Sequence, residues 1–315
     1  MDKFDYSDVK RVPIEPDAET ELCVILYSSE YKELIGLFLG LMKENELSER
    51  ALAVTTAVID VVPALYTAWN YRFEICVSLY SDQSELWEKE LDWLDELTLN
   101  NPKNYQIWSY RQALVQQHPC PNFVRELPIL DLMIDDDTKN YHVWSYRKWS
   151  VQFFDVWSHE LEFVNKYIDR DVYNNSAWTH RAFYFKNQVT KEEQHKGLVN
   201  TEIEYVKAKI SLAPQNVSPW NYLRFIYRTF KDDEYDSGIV EFASKFVQNV
   251  LVLDEGNDES APGKARVDST FALELLADAY AKNDPAKSKV AYTALADTWD
   301  PIRKNYWSLK ANQLG

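Results

Sequence analysis

The sequence predicts an all-α fold, an α-α superhelix built as a solenoid of helical hairpins, and three observations support it. First, the segment Asn101–Arg111 recurs 36 residues later as Asp137–Arg147, with Trp, Tyr and Arg at matching places, and a match at fixed spacing indicates a structural repeat. Second, the 315 residues include 11 Trp and 20 Tyr but only 7 Gly, which favours helices packed on helices over a sheet with tight glycine turns. Third, apolar residues recur three and four positions apart, which is the period of an amphipathic helix.

The first element is a polar segment, residues 1–20, which we expect to form a flexible arm. Helical periodicity begins at Ser28, and Ser48 is placed to cap a second helix that Pro63 ends. Further helix starts are predicted where Asp or Thr is followed three residues later by Glu, the pattern of a capping box. These starts are at Asp82, Thr190 and Thr201.

The motif Pro-x-Asn-Tyr-x-x-Trp-x-x-Arg occurs, with departures, in six copies. They lie near residues 63–72, 102–111, 138–147, 172–181, 214–224 and 301–310. Each interval fits two antiparallel helices, and because one pair cannot bury its apolar stripe alone, we expect the copies to stack into one domain over residues 21–315. The long gap before the last copy predicts a degenerate pair without Trp, around Phe242–Leu253 and Thr270–Tyr280, separated by an acidic surface loop at 254–263.

The Trp and Arg of each copy are predicted to be structural. Asn104 and Asn140 stand where an N-cap side chain accepts a first-turn N–H. The Trp that follows would fill the gap between neighbouring repeats, and the Arg would stack on that indole or bind a carbonyl group of the next repeat. Copy one has Leu65 in the cap place, copy five has Leu223 in the Arg place, and copy six has Lys310 there.

The side chains around the cap, in copies two and three, differ in kind from these structural positions. They are Lys103, Tyr105, Gln106, Lys139, Tyr141 and His142. Helix starts favour anions through free N–H groups and the helix dipole, so these side chains, aligned along one edge of a solenoid, would form an anion-binding strip. The alternative is that they are solvated first-turn residues, and the spacing alone favours this alternative.

Composition excludes several classes of protein. The net charge of −16 offers no basic surface for nucleic acid. Cys23, Cys76 and Cys120 are scattered without a Cys-x-x-Cys pair, which argues against a zinc knuckle or a disulfide framework and favours a reducing compartment. No apolar run approaches about 18 residues, and the N-terminal residues lack a signal-peptide pattern, so we expect a cytoplasmic protein that is not embedded in a membrane.

No complete catalytic centre is predicted within this chain. The five His residues do not form a paired-ligand spacing, so we expect no metal held by this chain alone. The acidic runs Asp135–Asp137 and Asp232–Glu234 lack the pattern of a calcium loop and are interpreted as solvated loops.

The repeated Lys-Asn-Tyr-Gln and Lys-Asn-Tyr-His segments resemble the repeats of the protein prenyltransferase α subunits. The resemblance covers residues 63–310, and Ala296–Trp307 is similar to the terminal repeat of that family. Within the family, copies two and three look most like the α subunit shared by the farnesyl and type I geranylgeranyl transferases. The alternative within the family is the Rab geranylgeranyltransferase α subunit, whose repeats tend to carry Gly or Thr where Gln106 and Ile107 stand here.

The resemblance implies a crescent of helical hairpins wrapped around a separate β subunit. Such a heterodimer would transfer a farnesyl or geranylgeranyl group from its diphosphate to the Cys thiol of a C-terminal C-a-a-X motif, on substrates such as Ras-like small GTPases. The resemblance also implies that the β subunit binds the catalytic Zn²⁺ and that Mg²⁺ assists the diphosphate. We therefore expect no transferase activity from this chain alone.

The resemblance implies roles for individual residues near the diphosphate. Lys103 corresponds to the lysine that reaches the isoprenoid diphosphate, where a cation would stabilise charge on the leaving group. Tyr141 and His142 correspond to the tyrosine and histidine beside that diphosphate. Lys103 and Tyr141 are thus the expected catalytic residues.

Other residues correspond to positions that face the peptide substrate. Gln106 corresponds to the glutamine that binds the C-terminal carboxylate of the peptide, and Tyr105 to a tyrosine near the active site. Tyr66 corresponds to a tyrosine beside the peptide or product path. Asn104 and Asn140 are implied to be the caps that hold these first turns in place.

A non-enzymatic alternative is a tetratricopeptide-like scaffold that binds peptide tails. Tetratricopeptide repeats keep a period of about 34 residues and a Gly in each copy. Here the period drifts and Gly is rare, so the sequence favours the transferase subunit.

Overall fold

The computed structural model describes residues 3–15, 23, 25–251 and 264–314. These residues form fifteen α-helices and one two-stranded ribbon, which confirms the all-α class and the repeated helical hairpins. The chain divides into two compact units, Met1–Asp155 and Val156–Gly315, whereas the repeat pattern alone predicts one domain over residues 21–315. The acidic loop predicted at 254–263 lies outside the described residues.

Helices of the first unit pack as consecutive pairs. They are α1 (Ser29–Lys43), α2 (Glu49–Val61), α3 (Tyr66–Tyr80), α4 (Ser84–Asn100), α5 (Tyr105–Gln117), α6 (Phe123–Asp136) and α7 (Tyr141–Phe154). Within this unit α2 packs on α3, α4 on α5 and α6 on α7, and the second helices α3, α5 and α7 contact one another in succession. The helix start predicted at Ser28 and the cap predicted at Ser48 are confirmed, and the Ser28 side chain also caps α1. The start predicted at Asp82 is wrong, because the chain is still in a turn there and α4 begins at Ser84.

The second unit contains the remaining elements. They are α8 (Glu160–Arg170), α9 (Asn175–Gln188), α10 (Glu193–Leu212), α11 (Val217–Phe230), α12 (Ser237–Ser244), α13 (Thr270–Tyr280), α14 (Pro285–Ala294) and α15 (Lys304–Asn312), with strands β1 (Val247–Gln248) and β2 (Arg266–Val267) paired antiparallel. The helix start predicted at Thr201 is wrong, because α10 runs through it and its hydroxyl donates to the Gly197 carbonyl at 3.0 Å. Thr190 does not cap α10 either, since its hydroxyl contacts His195 Nδ1 at 2.9 Å.

The repeat loses its regularity toward the C-terminus. Helices α12 and α13 form the predicted pair without Trp. The bounds predicted for the first of them, Phe242–Leu253, are wrong: α12 ends at Ser244, and strand β1 follows within the predicted range. A π-helical turn, Leu295–Trp299, precedes the last copy. There Trp307 Nε1 donates to Asp300 Oδ2 at 2.8 Å, a contact that differs from the earlier copies.

Five helical pairs, from α2–α3 to α10–α11, are closed by turns of the same form. Each turn has four residues, and the N–H of the fourth donates to the carbonyl of the first, as Asn140 does to Asp137 at 3.0 Å. Pro occupies the second place in three of these turns, where its fixed φ suits a β-turn. The fourth residue is the helix cap: Asn104 accepts the Ile107 N–H at 3.0 Å, whereas Leu65 makes no side-chain cap.

The carbonyl of the second turn residue ties neighbouring repeats together. Pro63 O accepts hydrogen bonds from Trp69 Nε1 and from Asn104 Nδ2 of the next copy, both at 2.9 Å. Asn140 Nδ2 donates to Pro102 O at 3.1 Å in the same way. Asn104 and Asn140 therefore each cap their own helix and also bind the preceding repeat. The Trp rings fill the gap between copies as predicted, since Trp69 lies 5.0 Å from the ring of Tyr110 and Trp108 lies 5.4 Å from that of Tyr146.

Buried glutamates pair with three of the motif arginines, whereas the sequence predicted that the Arg would stack on the motif indole or bind a carbonyl group of the next repeat. The pairs are Arg72–Glu90, Arg111–Glu126 and Arg181–Glu202, with Nε to oxygen distances of 2.5, 2.6 and 2.5 Å. Glu90 and Glu126 also accept the hydroxyl groups of Tyr110 and Tyr146 from the next copy, both at 2.7 Å. We call each of these two sets, built on Glu90 and Glu126, an Arg–Glu–Tyr bridge. The bridges satisfy charges that would otherwise be costly to bury.

Part of the segment expected to be a flexible arm, residues 3–15, is held against α1 and α2. The Val12 N–H donates to the Gly36 carbonyl at 3.0 Å, and the guanidinium of Arg50 binds both carboxylate oxygens of Asp8 at 2.7 and 2.9 Å. A Cβ at Gly36 or Gly40 would lie 2.8 or 2.6 Å from carbonyl oxygens of this segment. These two glycines therefore permit the close approach of the backbone.

Candidate functional site

All predicted site residues lie in the first unit, at the starts of α3, α5 and α7 and in the turns before them. They are Tyr66, Lys103, Asn104, Tyr105, Gln106, Asn140, Tyr141 and His142. Helix α3 contacts α5 and α5 contacts α7, and the preceding turns share one form. The three helix starts are therefore neighbours, as the anion-binding strip requires.

Three aromatic side chains at these helix starts face solvent. Tyr66, Tyr105 and Tyr141 are 56%, 61% and 70% exposed. The motif Trp and Arg a turn further along the same helices are buried. Exposed aromatic groups in a row form a surface suited to a ligand or to another protein chain.

His142 lies between two tyrosine rings. The Tyr105 ring, from the preceding copy, meets it edge to face with centroids 4.3 Å apart, and the Tyr141 ring lies 5.7 Å away. Burial lowers the pKa of His142 below its ordinary value, because a partly desolvated imidazole is harder to protonate. The imidazole is therefore neutral at physiological pH and can both donate and accept a hydrogen bond.

Gln106 contacts the turn of the preceding copy. Its Nε2 donates to the Ala64 carbonyl at 3.1 Å. An amide group has two N–H hydrogens, so this contact orients the amide and leaves a second donor for a ligand. The Ala64 carbonyl is a supporting group that sequence reasoning missed.

Lys103 is the third residue of the turn that leads into α5. Its side chain is 75% exposed, and its Nζ lies 3.5 Å from Asp137 Oδ2. The other oxygen of Asp137 accepts the Lys139 N–H at 3.1 Å. Asp137 therefore has a structural role and is not only part of a solvated acidic loop. The sequence signal for this role is an Asp placed two residues before the N–H that its side chain accepts, which is the pattern of an Asx-turn.

The predicted residues are only partly brought together. Tyr105, Tyr141 and His142 form one ring cluster. Among the described ring contacts none joins Tyr66 to this cluster, and the described ion pair of Lys103 is with Asp137. The site therefore consists of an ammonium group, several phenols, a neutral imidazole and an amide beside two capped helix N-termini, an arrangement that can bind an anion.

The described residues contain neither a metal-binding cluster nor a helix suited to a bilayer. Within residues 3–15, 23, 25–251 and 264–314, no group of three or more His, Cys, Asp or Glu residues could hold a metal ion. In the same ranges, no helix has the length and apolar character needed to span a bilayer.

Five segments of the chain match the family described as protein prenyltransferase alpha subunit repeat. They are residues 48–79, 87–118, 123–154, 157–188 and 199–230. Each segment contains one motif copy at the same offset, and the sixth copy, 301–310, lies outside these segments.

Relatives match along nearly the whole chain. A Candida albicans protein farnesyltransferase/geranylgeranyltransferase type-1 subunit alpha is 42% identical over 99% of this chain and 98% of its own. The Dictyostelium discoideum protein of the same name is 30% identical over 98% of this chain and 92% of its own. A Saccharomyces cerevisiae geranylgeranyl transferase type-2 subunit alpha is 26% identical over 88% of this chain and 89% of its own.

A solved structure is also similar. It is described as Candida albicans protein geranylgeranyltransferase-I complexed with GGPP, and one of its chains matches with a TM-score of 0.83 and 39% identity over 99% of both chains. The repeated turn, the buried motif positions and these full-length matches agree. The chain therefore belongs to the protein prenyltransferase alpha subunit repeat family.

Proposed function

We propose that this chain is the α subunit of a heterodimeric protein farnesyltransferase/geranylgeranyltransferase type I. The enzyme would transfer a farnesyl or geranylgeranyl group from its diphosphate to the Cys thiol of C-terminal C-a-a-X motifs, as on Ras-like small GTPases. The observation that carries the proposal is the placement of Lys-Asn-Tyr-Gln and Lys-Asn-Tyr-His at neighbouring helix starts, with Tyr105 and Tyr141 exposed. The names of the full-length relatives support it.

In this role Lys103 binds the diphosphate. Its ammonium stabilises the negative charge that grows on the leaving diphosphate as the allylic C–O bond breaks. The exposed hydroxyl of Tyr141 and the neutral imidazole of His142 donate further hydrogen bonds. The N-terminus of α7 adds a favourable dipole beside the same anion.

The remaining residues serve the peptide substrate. The second N–H of the Gln106 amide donates to the C-terminal carboxylate of the peptide, while the first stays on Ala64. Tyr105 lies near the active site, in contact with His142, and Tyr66 lines the path of peptide or product. Asn104 and Asn140 hold both first turns in register through their caps.

The other half of the site belongs to a β subunit of the farnesyltransferase or of the type I geranylgeranyltransferase. Zn²⁺ bound by that subunit would activate the substrate Cys as a thiolate, and Mg²⁺ would assist the diphosphate. The described residues of this chain offer no ligand set for either ion. We place the reaction in the cytoplasm, consistent with free cysteines at 23, 76 and 120.

The Rab geranylgeranyltransferase α subunit remains the second candidate, because the Saccharomyces cerevisiae type-2 relative also aligns along most of the chain. The higher identity of 42% to the type-1 subunit, and Gln106 in the carboxylate-binding place, favour type I. A peptide-binding scaffold without enzymatic activity is the third candidate.

The test is coexpression with each candidate β subunit, followed by transfer assays on peptides with different C-terminal residues. We expect a stoichiometric, zinc-containing complex that prenylates C-a-a-X peptides, and no activity from the isolated chain. A monomer that binds no β subunit would support the scaffold. Robust transfer by the isolated chain after removal of zinc would contradict the proposal that the β subunit and its Zn²⁺ are required for activity.

A further inference from the structure

Asp137 connects two repeats through one carboxylate. It is the C-cap residue that follows α6 and the first residue of the turn before α7. Its Oδ1 accepts the Lys139 N–H at 3.1 Å, within its own copy. Its Oδ2 lies 3.5 Å from Lys103 Nζ, in the preceding copy. The carboxylate thus orders the turn that precedes Tyr141 and His142 and also forms an ion pair with Lys103.

A carboxylate is an unexpected neighbour for an anion-binding lysine, because it competes with the anion. The side chains of Lys103 and Asp137 are 75% and 37% exposed, and exposed ion pairs of this kind are weak and screened by salt. A diphosphate, with more charge and several acceptor oxygens, can displace such a partner. The geometry therefore suits a pair that exists only while the site is empty.

We propose that Asp137 is the counter-ion that holds Lys103 at the start of α7 in the unliganded protein, and that prenyl diphosphate displaces it. This inference rests on the proposed function of Lys103. Asp137 acts through Lys103 and is a positioning residue. The charge of Asp137 opposes diphosphate binding. It leaves the rate of the chemical step unchanged, because Asp137 has already been displaced from Lys103 in both the bound ground state and the transition state.

The test uses the Asp137→Asn variant of the heterodimer. Asn keeps a side-chain oxygen for the Lys139 N–H but loses the charge that pairs with Lys103. We expect the Kd for farnesyl diphosphate to fall roughly two- to fivefold at low salt, the range that an exposed ion pair supports. The difference from the unmodified protein should shrink at high salt, and the single-turnover rate at saturating diphosphate should stay the same.

A double-mutant cycle with Lys103→Ala decides whether the gain acts through Lys103. We expect Asp137→Asn to have no effect on Kd in the Lys103→Ala background. The matched control is Asp171→Asn, because Asp171 Oδ1 accepts the Tyr173 N–H at 2.9 Å in the equivalent turn of the next copy. We expect this control to show no coupling to Lys103.

Three outcomes would overturn the inference: an unchanged or weaker affinity in Asp137→Asn, a gain that persists without Lys103, or a lower single-turnover rate. The Lys103→Ala variant by itself tests the proposed function separately from the role of Asp137. If Lys103→Ala alone leaves both the diphosphate affinity and the transfer rate unchanged, the diphosphate role of Lys103 is wrong, whatever Asp137 does.

Discussion

Lys103 and Arg111 are two cations of the same motif copy with opposite surroundings. The side chain of Arg111 is 0% exposed and contacts both Glu126 and Asp95, whereas that of Lys103 is 75% exposed and lies 3.5 Å from Asp137, its partner among the described residues. A buried guanidinium needs its carboxylates in every state of the folded protein, while an exposed ammonium can exchange partners. The motif therefore combines a buried part that fixes how repeats stack with an exposed part that is available to a ligand.

The largest expected effect comes from removing the buried cation. Arg111→Ala leaves Glu126, which is 1% exposed, with the Tyr146 hydroxyl at 2.7 Å as its described partner. Loss of one member of a buried ion pair costs about 3–5 kcal/mol. We expect the free energy of unfolding, measured by denaturant titration, to fall by that amount.

Arg125 is the matched control for this experiment. It also binds Asp95, at 2.7 Å, but its side chain is 19% exposed and its partners Glu88 and Asp92 are exposed. Because water can solvate those carboxylates, Arg125→Ala should cost much less than Arg111→Ala. Equal losses would mean that burial does not distinguish the two arginines.

The exposed cation should affect catalysis and leave stability unchanged. Lys103→Ala is expected to lower the single-turnover rate of the heterodimer by about 10²–10³-fold, the typical loss when one group that stabilises transition-state charge is removed. Peptide affinity should change far less, and the free energy of unfolding by no more than about 0.5 kcal/mol. Lys139→Ala, at the same turn position of the next copy, is the comparison, and an equal rate loss there would contradict a role specific to Lys103.

Two tyrosines of α7 extend the comparison to neutral groups. Burial raises the pKa of Tyr146 well above its ordinary value, and its hydroxyl donates to Glu126. Tyr146→Phe removes that donor from a buried carboxylate and should cost about 1–3 kcal/mol of stability. Tyr141→Phe, at an exposed position, should leave stability unchanged and reduce prenyl transfer, so an equal stability loss in both variants would contradict the division into buried and exposed parts.

Asn140 joins the two parts, and its substitution should have a smaller effect. Asn140→Ala removes the cap of α7 and should cost about 1 kcal/mol, together with some transfer activity because Tyr141 and His142 lie in the first turn. Asn140→Asp keeps the cap but loses the Nδ2 donor and places a carboxylate near the Pro102 carbonyl, 3.1 Å away in the native contact. Full stability in Asn140→Asp would show that the cap alone matters and that the contact between repeats does not.

The buried part of the motif was predictable from the sequence only where its signals are local. Asn104 and Asn140 cap helices, and the Trp rings bridge copies, because both depend on spacing within one turn of helix. The buried glutamates follow their paired arginines by 18, 15 and 21 residues. These separations vary with the connection between pairs, so no fixed spacing identifies them.

The sequence predicted where the exposed part of the motif lies but not which contacts its side chains make. The positions of Lys103, Gln106, Tyr141 and His142 at helix starts followed from the motif, and their expected roles came from family resemblance. Their contacts with Asp137, Ala64 and Tyr105 depend on how neighbouring helix starts align. That alignment is set by packing between repeats, which the spacing within one copy does not specify.

The smallest expected effect concerns the protonation of His142. Its pKa in the folded chain lies below the value of about 6.5 expected when unfolded, so the unfolded chain binds more protons between these two values. Stability from this group is therefore present above about pH 6.5 and is lost as the pH falls through the folded pKa. An NMR titration of the imidazole should show the lowered pKa, and Tyr105→Ala, which removes the ring 4.3 Å away, should raise it toward 6.5. An unchanged pKa in that variant would mean that the Tyr105 ring does not shield the imidazole from water, and that other groups cause the lowered pKa of His142.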